Sequence, residues 1–290
     1  MKLLQFIFLL VRRGSLFQDP IDFEANRSAL LASVPLSDPV VIPASDGKRL
    51  SRLWRIPGLY TIIANLSYFK GRREMNKMYY ISYSNSVVYV RILKAAGTSV
   101  LTGFLRLMDS KLKAASLSDE QVDALGYYFV KRELPDSSRN FERFAIVRDP
   151  YQRLVSVYLD LFDPASPVFS YSAYWFGILD RTMSFRYVVK VISKIPPSLL
   201  GPHFSPQSSI LKGLSDVRLF RLEKDQKALT DFLHRYGIEF QHLNKHKSEY
   251  DYRSYYDNET FELVSSIYRE DVDRFGYAIE EDNLRKALRN

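Results

Sequence analysis

The sequence predicts an α/β fold in which helices flank a central parallel sheet. Three runs of apolar and β-branched residues predict its strands, at positions 87–93, 142–147 and 217–222. Each run leads into a stretch with apolar residues at helical spacing. Because strands that alternate with helices form parallel sheets, we expect the three strands to end at one common edge. Ligands of open α/β sheets bind beyond that edge.

The first strand ends at a cationic loop that leads directly into a helix. Apolar residues recur at helical spacing from Val100 to Met108, and a Thr or Ser at a helix start suits the N-cap. We expect the backbone amides and hydroxyls here to bind phosphate, with the lysine beside them as a point charge. An ordinary strand–helix turn with a solvated lysine is the alternative. The loop and helix start consist of Lys94, Ala95, Ala96, Gly97, Thr98 and Ser99.

This loop differs from the phosphate-binding loop of ATP and GTP enzymes. That motif places its lysine after the second glycine, whereas Lys94 precedes Gly97. No strand of the sequence ends in an aspartate placed to hold Mg²⁺ as those enzymes do. A phosphate site without a carboxylate for a metal points away from phosphoryl transfer, and we predict no metal ligands.

The second strand also ends at a cation. Arg148 follows residues 142–147, Asp149 is a suitable N-cap, and Pro150 fits the first helical position, where a missing N–H costs nothing. Ser156 lies about two helical turns after Arg148. We expect the planar guanidinium and this hydroxyl to bind a second phosphate. Two cations at neighbouring strand ends therefore predict one ligand with two separated anionic groups.

Capping signals predict four further helices. Residues 118–121 form a capping box before an apolar helical pattern. Helical patterns also cover residues 184–195, 225–236 and 258–275. A glycine directly follows each of the last two patterns, as is usual just after a helix.

Both cationic segments resemble parts of one enzyme family. Residues 94–99 resemble the 5′-phosphosulfate-binding loop of sulfotransferases, and residues 148–158 resemble their 3′-phosphate-binding segment. Residues 203–207 and 268–277 agree with the same family. Over about residues 85–280 the chain is most similar to the carbohydrate (Golgi-type) sulfotransferases and their bacterial relatives. This resemblance implies a P-loop-like fold of three layers.

The resemblance further implies 3′-phosphoadenosine 5′-phosphosulfate as donor, a carbohydrate hydroxyl as acceptor, and a reaction without a metal. Arg148 and Ser156 would hold the 3′-phosphate, and Lys94 would contact the oxygen between phosphate and sulfate. An ammonium there stabilises the charge that develops on the leaving oxygen. The rest of the first loop would hold the 5′-phosphate through Ala95, Ala96, Gly97, Thr98 and Ser99.

Attack by an acceptor hydroxyl requires a general base. His203 lies beside Gly201 and Pro202, which predicts a loop rather than a packed helix face. We expect His203 to accept the proton or to position the acceptor. Glu223, just after the third strand, is the alternative base.

Composition favours an anionic ligand and a cytoplasmic location. The chain has 41 Lys and Arg against 33 Asp and Glu, a net charge of +8, yet no basic run with interleaved aromatics that would predict nucleic-acid binding. It has no cysteine, so disulfides are excluded. The apolar segment 3–11 is shorter than the roughly 20 residues that span a bilayer, so we expect no membrane insertion. A peripheral membrane contact is the open alternative.

We expect residues 1–84 to form an N-terminal extension with flanking helices, and residues 85–290 to form the sulfotransferase domain as one unit. Residues 163–206 interrupt the alternation of strands and helices and contain an aromatic cluster, so we expect them to select the acceptor. Two other functions stay open at this point. One is a nucleotide-dependent kinase, and the other is a non-catalytic basic module that binds acidic glycans.

Overall fold

A computed structural model of the chain contains one sheet of four strands in the order β1-β2-β3-β4. The strands are β1 (Tyr79–Ser82), β2 (Val87–Val90), β3 (Glu142–Val147) and β4 (Val217–Arg221). The structure describes residues 29–37, 76–162, 179, 182–197, 200–238 and 250–289. Most of the expected N-terminal extension and much of the expected acceptor segment, residues 163–178, lie outside these ranges.

Three of the four strands run parallel, which confirms the predicted fold class. β2 pairs with β3 and β3 with β4 in parallel, with Val90 opposite Ala145 and Val147 opposite Arg221. β1 pairs antiparallel with β2. The sheet therefore begins before residue 85. The expected domain boundary consequently falls inside the turn between β1 and β2. The carboxyl ends of β2, β3 and β4 meet at one edge.

Eight helices lie wholly within the described part of the chain, and three short 3₁₀ turns accompany them. Those turns cover Ser110–Ala114, Asp136–Ser138 and Tyr252–Tyr255. Within the described ranges, no helix combines the length and the apolar character that are needed to cross a membrane. The helices are α1 (Gly97–Met108), α2 (Asp119–Phe129), α3 (Pro150–Phe162), α4 (Phe185–Ile192), α5 (Gln207–Ile210), α6 (Gln226–His234), α7 (Asn258–Phe275) and α8 (Ala278–Ala287).

Three of the capping signals start helices where the sequence predicted. Ser118 forms a capping box with Gln121 at the start of α2, and Asp257 caps α7. The Asp149 carboxylate accepts the backbone N–H of Tyr151 at 2.9 Å in the first turn of α3. Each such bond satisfies an amide that has no partner within its own helix. The sequence analysis missed β1 and α8.

An aromatic layer fixes the sheet to its helices. All four residues of β2 are fully buried. The Tyr89 ring of β2 stacks on Phe144 of β3 with ring centroids 5.0 Å apart, and Phe144 meets Phe232 of α6 at 4.9 Å. Phe104 of α1 lies 6.0 Å from Tyr89. Pairs of this kind contribute about 0.5–1.5 kcal/mol beyond the area they bury, so the strand ends stand on a rigid base.

Candidate functional site

The loops that follow the three parallel strands contact one another at the carboxyl edge of the sheet. The Arg148 guanidinium, after β3, donates from Nη1 to the Lys94 carbonyl oxygen, after β2, at 3.2 Å. The Asp149 N–H donates to Glu223 Oε1, after β4, at 3.0 Å. The fold therefore brings together the two cationic segments that the sequence singled out, although β2 ends at Val90 rather than at position 93, so Lys94 lies in the loop four residues after the strand.

The Lys94 loop carries its anion-binding groups on a strained backbone. Lys94 and Ala96 adopt left-handed conformations with φ of 65° and 56°. Such a conformation costs a residue other than glycine roughly 1–2 kcal/mol. α1 begins at Gly97 with Ala96 as its N-cap, and it has neither a side-chain cap nor an acidic residue in its first turn.

This start corrects the prediction that Thr98 or Ser99 caps α1. The helix begins before either residue, so both hydroxyls lie in its first turn, and Ser99 is buried. Among the described residues, the N-cap Ala96 offers no side-chain hydrogen bond to the first amides of α1. Because these amides have no partner within the helix and lie at the positive end of its dipole, they suit an anion.

Gly97 allows Arg91 to pack closely beneath the loop. A β-carbon on Gly97 would lie 3.0 Å from Arg91 Nε, which is tighter than normal van der Waals contact. The Arg91 side chain is 10% exposed, and its Nη2 lies 3.4 Å from Asp123 Oδ1. A further, largely shielded positive charge thus lies beneath the loop, and a larger residue at position 97 would require the Arg91 side chain to shift by a few tenths of an ångström.

Arg148 is held by a second network on its own side of the site. The Gln207 side chain accepts the Arg148 N–H at 3.0 Å and donates to the Arg148 carbonyl at 2.7 Å. Asp271 of α7 in turn accepts the N–H groups of Gln207 and Ser208, both at 2.7 Å. The Arg148 Nε is buried without a hydrogen-bond partner, and it lies 3.9 Å from Glu223 Oε1. Arg148 therefore has a fixed backbone and an unsatisfied donor.

Glu223 braces this network with both of its oxygens. Besides the Asp149 N–H on Oε1, its Oε2 accepts the Tyr277 hydroxyl at 2.9 Å. The pKa of Asp149 is raised to about 7, mainly by burial and in part by the negative charge of Glu223, against the bond from Tyr151. These contacts tie Glu223 to the segment that carries Arg148.

Helix α3 places three polar side chains along one face. Arg153, Ser156 and Asp160 follow one another at spacings of three and four residues, which align on a helix. Asp160 forms an ion pair with Lys94, with 3.1 Å between Oδ1 and Nζ. Ser156, one turn before Asp160, therefore lies on the face of α3 that is turned toward the Lys94 loop.

Arg153 joins the Lys94 loop to the segment that contains His203. Its side chain is 1% exposed. It donates to the carbonyl of Leu93 at 2.9 Å and to the carbonyls of Pro202, His203 and Ser205 at 3.1 to 3.2 Å. A lysine cannot reproduce this fork of donors. The guanidinium therefore fixes His203 relative to Lys94.

His203 lies in a turn, as predicted, and is half-buried. The pKa of His203 is lowered to about 3, mainly by burial and in part by the positive charges of Lys94, Arg153 and Arg91, against the opposing charge of Asp160. The imidazole is therefore neutral at physiological pH, and so low a pKa makes it a weaker base than an ordinary histidine. The same charges place His203 in the electrostatic neighbourhood of Lys94.

Sequence reasoning missed Arg153 and Asp160. Their signal was available, because two charged side chains interrupt an apolar helix at the spacing that puts them on the face of Ser156. The described residues hold no group of three His, Asp or Glu side chains placed to hold a metal. The donors that do converge are ammonium, guanidinium, amide and hydroxyl groups, which bind anions.

A mostly parallel sheet with an uncapped helix and two cations at its carboxyl edge is the arrangement of a P-loop-like fold, and its loop has the groups that suit an anion. The model of the sulfotransferase family matches residues 77–278, more than two thirds of the chain, and the chain belongs to this family. It is therefore a transferase of sulfuryl groups. Comparisons with curated proteins and with solved structures find no match.

Proposed function

We propose that this chain transfers a sulfuryl group from 3′-phosphoadenosine 5′-phosphosulfate to a carbohydrate hydroxyl. The observation that carries the proposal is the contact between the two cationic strand ends. With Arg148 Nη1 3.2 Å from the Lys94 carbonyl, one ligand can reach both side chains. A donor with phosphates at its 3′ and 5′ positions matches two such adjacent cationic sites.

The residues present fit this donor. The free amides of α1, with Thr98 and Ser99, offer neutral donors for the 5′-phosphate, and Ala95, Ala96 and Gly97 leave room for it to approach the backbone. Arg148 offers a buried, unsatisfied Nε and a guanidinium fork for the 3′-phosphate. Ser156 lies on the adjoining helix face and adds a hydroxyl.

Lys94 and His203 divide the chemical work. The donor, when bound, supplies an activated sulfuryl group. The Lys94 ammonium stabilises negative charge on the leaving oxygen more strongly in the transition state than in the ground state. The neutral imidazole of His203 accepts the proton of the acceptor hydroxyl. Arg153 holds both in place through the carbonyls of Leu93 and His203.

The net charge of the chain supports a carbohydrate acceptor of acidic character. A charge of +8 favours an acidic glycan. With no cysteine in the chain, we propose a cytoplasmic location.

The test combines donor binding with transfer. Adenosine 3′,5′-bisphosphate is expected to raise the melting temperature, and label is expected to move from the sulfur-labelled donor to saccharides in the presence of EDTA. Transfer from ATP that requires Mg²⁺ would identify a kinase instead. Binding of heparin-like polymers without any response to the bisphosphate would identify a non-catalytic glycan-binding module.

A further inference from the structure

The ion pair between Lys94 and Asp160 occupies the ammonium that the proposed reaction needs. Its two charged atoms are 3.1 Å apart, and the side chains are only 23% and 19% exposed. Pairs that are partly shielded from water interact more strongly than the exposed pairs typical of protein surfaces. An anion that approaches Lys94 must therefore compete with the Asp160 carboxylate.

The position of Asp160 is unfavourable for its own helix. It stands in the last turn of α3 (Pro150–Phe162), where the helix dipole disfavours negative charge. The pairing with Lys94 compensates for this placement. The Asp160 charge also reaches His203, whose pKa it raises against the neighbouring cations. Asp160 thus connects the two groups of the proposed chemistry.

Within the described part of the chain, the Arg148 end of the site has no comparable competitor. Its nearest carboxylate oxygen, on Glu223, is 3.9 Å from Nε and already accepts the Asp149 N–H. The other Glu223 oxygen accepts the Tyr277 hydroxyl. An incoming anion therefore meets an unsatisfied donor at Arg148 and a paired ammonium at Lys94.

We propose that Asp160 is a positioning residue that holds the Lys94 ammonium until the 5′ anion of the donor takes the place of the Asp160 carboxylate. This inference rests on the proposed donor. While the site is empty, the carboxylate fixes the ammonium beside the loop. When the donor binds, Lys94 exchanges one anion for another, and part of the binding free energy is used to break the pair. Asp160 consequently weakens binding of the 5′-phosphate and leaves that of the 3′-phosphate largely unaffected.

The test measures three ligands by calorimetry: adenosine 3′,5′-bisphosphate, adenosine 5′-phosphate and adenosine 3′-phosphate. Asp160→Asn is expected to bind the two ligands with a 5′-phosphate about tenfold more tightly, which corresponds to about 1.4 kcal/mol. Affinity for the 3′-phosphate alone should change less than about twofold. Asp160→Glu keeps the charge and should restore the wild-type pattern. Asp231→Asn removes an exposed carboxylate of α6 as the control.

The outcomes separate this inference from the proposed function. Unchanged or weaker binding of the 5′-phosphate ligands by Asp160→Asn would overturn the inference, as would an equal gain for all three ligands. A loss of stability alone would assign Asp160 a purely structural role, and so would also overturn it. If the wild-type protein binds none of the three ligands, the proposed donor is wrong.

Discussion

The two ends of the site are built differently. At the Arg148 end, Gln207 bonds both sides of the backbone and Glu223 binds the next amide, so the cation is fixed before any ligand arrives. At the Lys94 end, the backbone is left-handed and the side chain is paired with Asp160. A cation that is already fixed suits ligand binding, because less conformational entropy is lost when the ligand binds. An ammonium that can exchange one anion for another suits the chemical step, in which negative charge develops on the leaving oxygen.

The largest effect on this comparison is expected when both members of the ion pair between Lys94 and Asp160 are replaced together. Lys94→Ala combined with Asp160→Asn deletes both charges, so no carboxylate is left without its cation. Relative to Asp160→Asn alone, we expect turnover with saturating donor to fall about a thousandfold, because a preorganised charge at the leaving oxygen is lost. Binding of adenosine 3′,5′-bisphosphate should stay within about threefold of wild type by calorimetry, because the lost contact between Lys94 and the 5′-phosphate is offset by the loss of the competing Asp160 carboxylate. Turnover equal to that of Asp160→Asn would remove Lys94 from the mechanism.

The role of His203 sharpens the comparison, because Arg153 ties this residue to the Lys94 end. We expect His203→Gln to lower kcat by about a hundredfold, since general bases contribute 10²–10⁴-fold. The bisphosphate affinity should not change, because the Arg153 contact uses the backbone carbonyl. Steady-state kinetics measure both effects, with His234→Gln on the exposed face of α6 as control. Full activity of His203→Gln would mean that another group accepts the proton.

The smallest expected effect concerns the bracing of the Arg148 end. Asp149 has a pKa of about 7 in the folded protein against an ordinary value of 3.8. Because the folded pKa is raised, the stability that the protonated carboxyl provides is complete below about pH 4 and is lost as the pH rises through 7. Asp149→Asn does not titrate and can still cap α3.

Urea unfolding at pH 5 and pH 8 tests this prediction. From pH 5 to pH 8, the free energy of unfolding of wild type should fall by about 2 kcal/mol relative to that of Asp149→Asn. Asp149→Ala should show the same pH trend as Asp149→Asn. Because it loses the cap, its free energy of unfolding should be about 1 kcal/mol lower at both pH values. A difference between Asp149→Asn and wild type that is equal at both pH values would show that this carboxyl titrates normally.

Local signals predicted the elements whose ends are set by local chemistry. β3 matches its predicted bounds, and Asp149 and Pro150 start α3, because a cap and a proline act within a few residues. β1 was missed because a run of four residues before a turn carries little periodicity. α8 was missed because it is rich in charged residues and buries few of its side chains.

In the site as well, some features could be predicted from the sequence and others depend on tertiary packing. Lys94 and Arg148 stand at strand ends, and the parallel sheet brings such ends together, so their proximity followed from the fold class. The pairing of Lys94 with Asp160 depends on how α3 rotates about its axis against the loop, which tertiary packing decides. The left-handed conformation of Ala96 likewise has no local signal in the sequence, and with Ala96 as its N-cap α1 starts at Gly97, ahead of Thr98.

The central claim is that Arg148 and Lys94 hold the two phosphates of one adenosine donor. Calorimetry of adenosine 3′,5′-bisphosphate against adenosine 5′-phosphate, on wild type and on Arg148→Met, tests it most directly. Hydrogen bonds to charged groups contribute about 1.5–3 kcal/mol, so wild type should prefer the bisphosphate by roughly ten- to a hundredfold. Arg148→Met should reduce this preference to about twofold or less. A preference that survives the loss of Arg148 would contradict the claim.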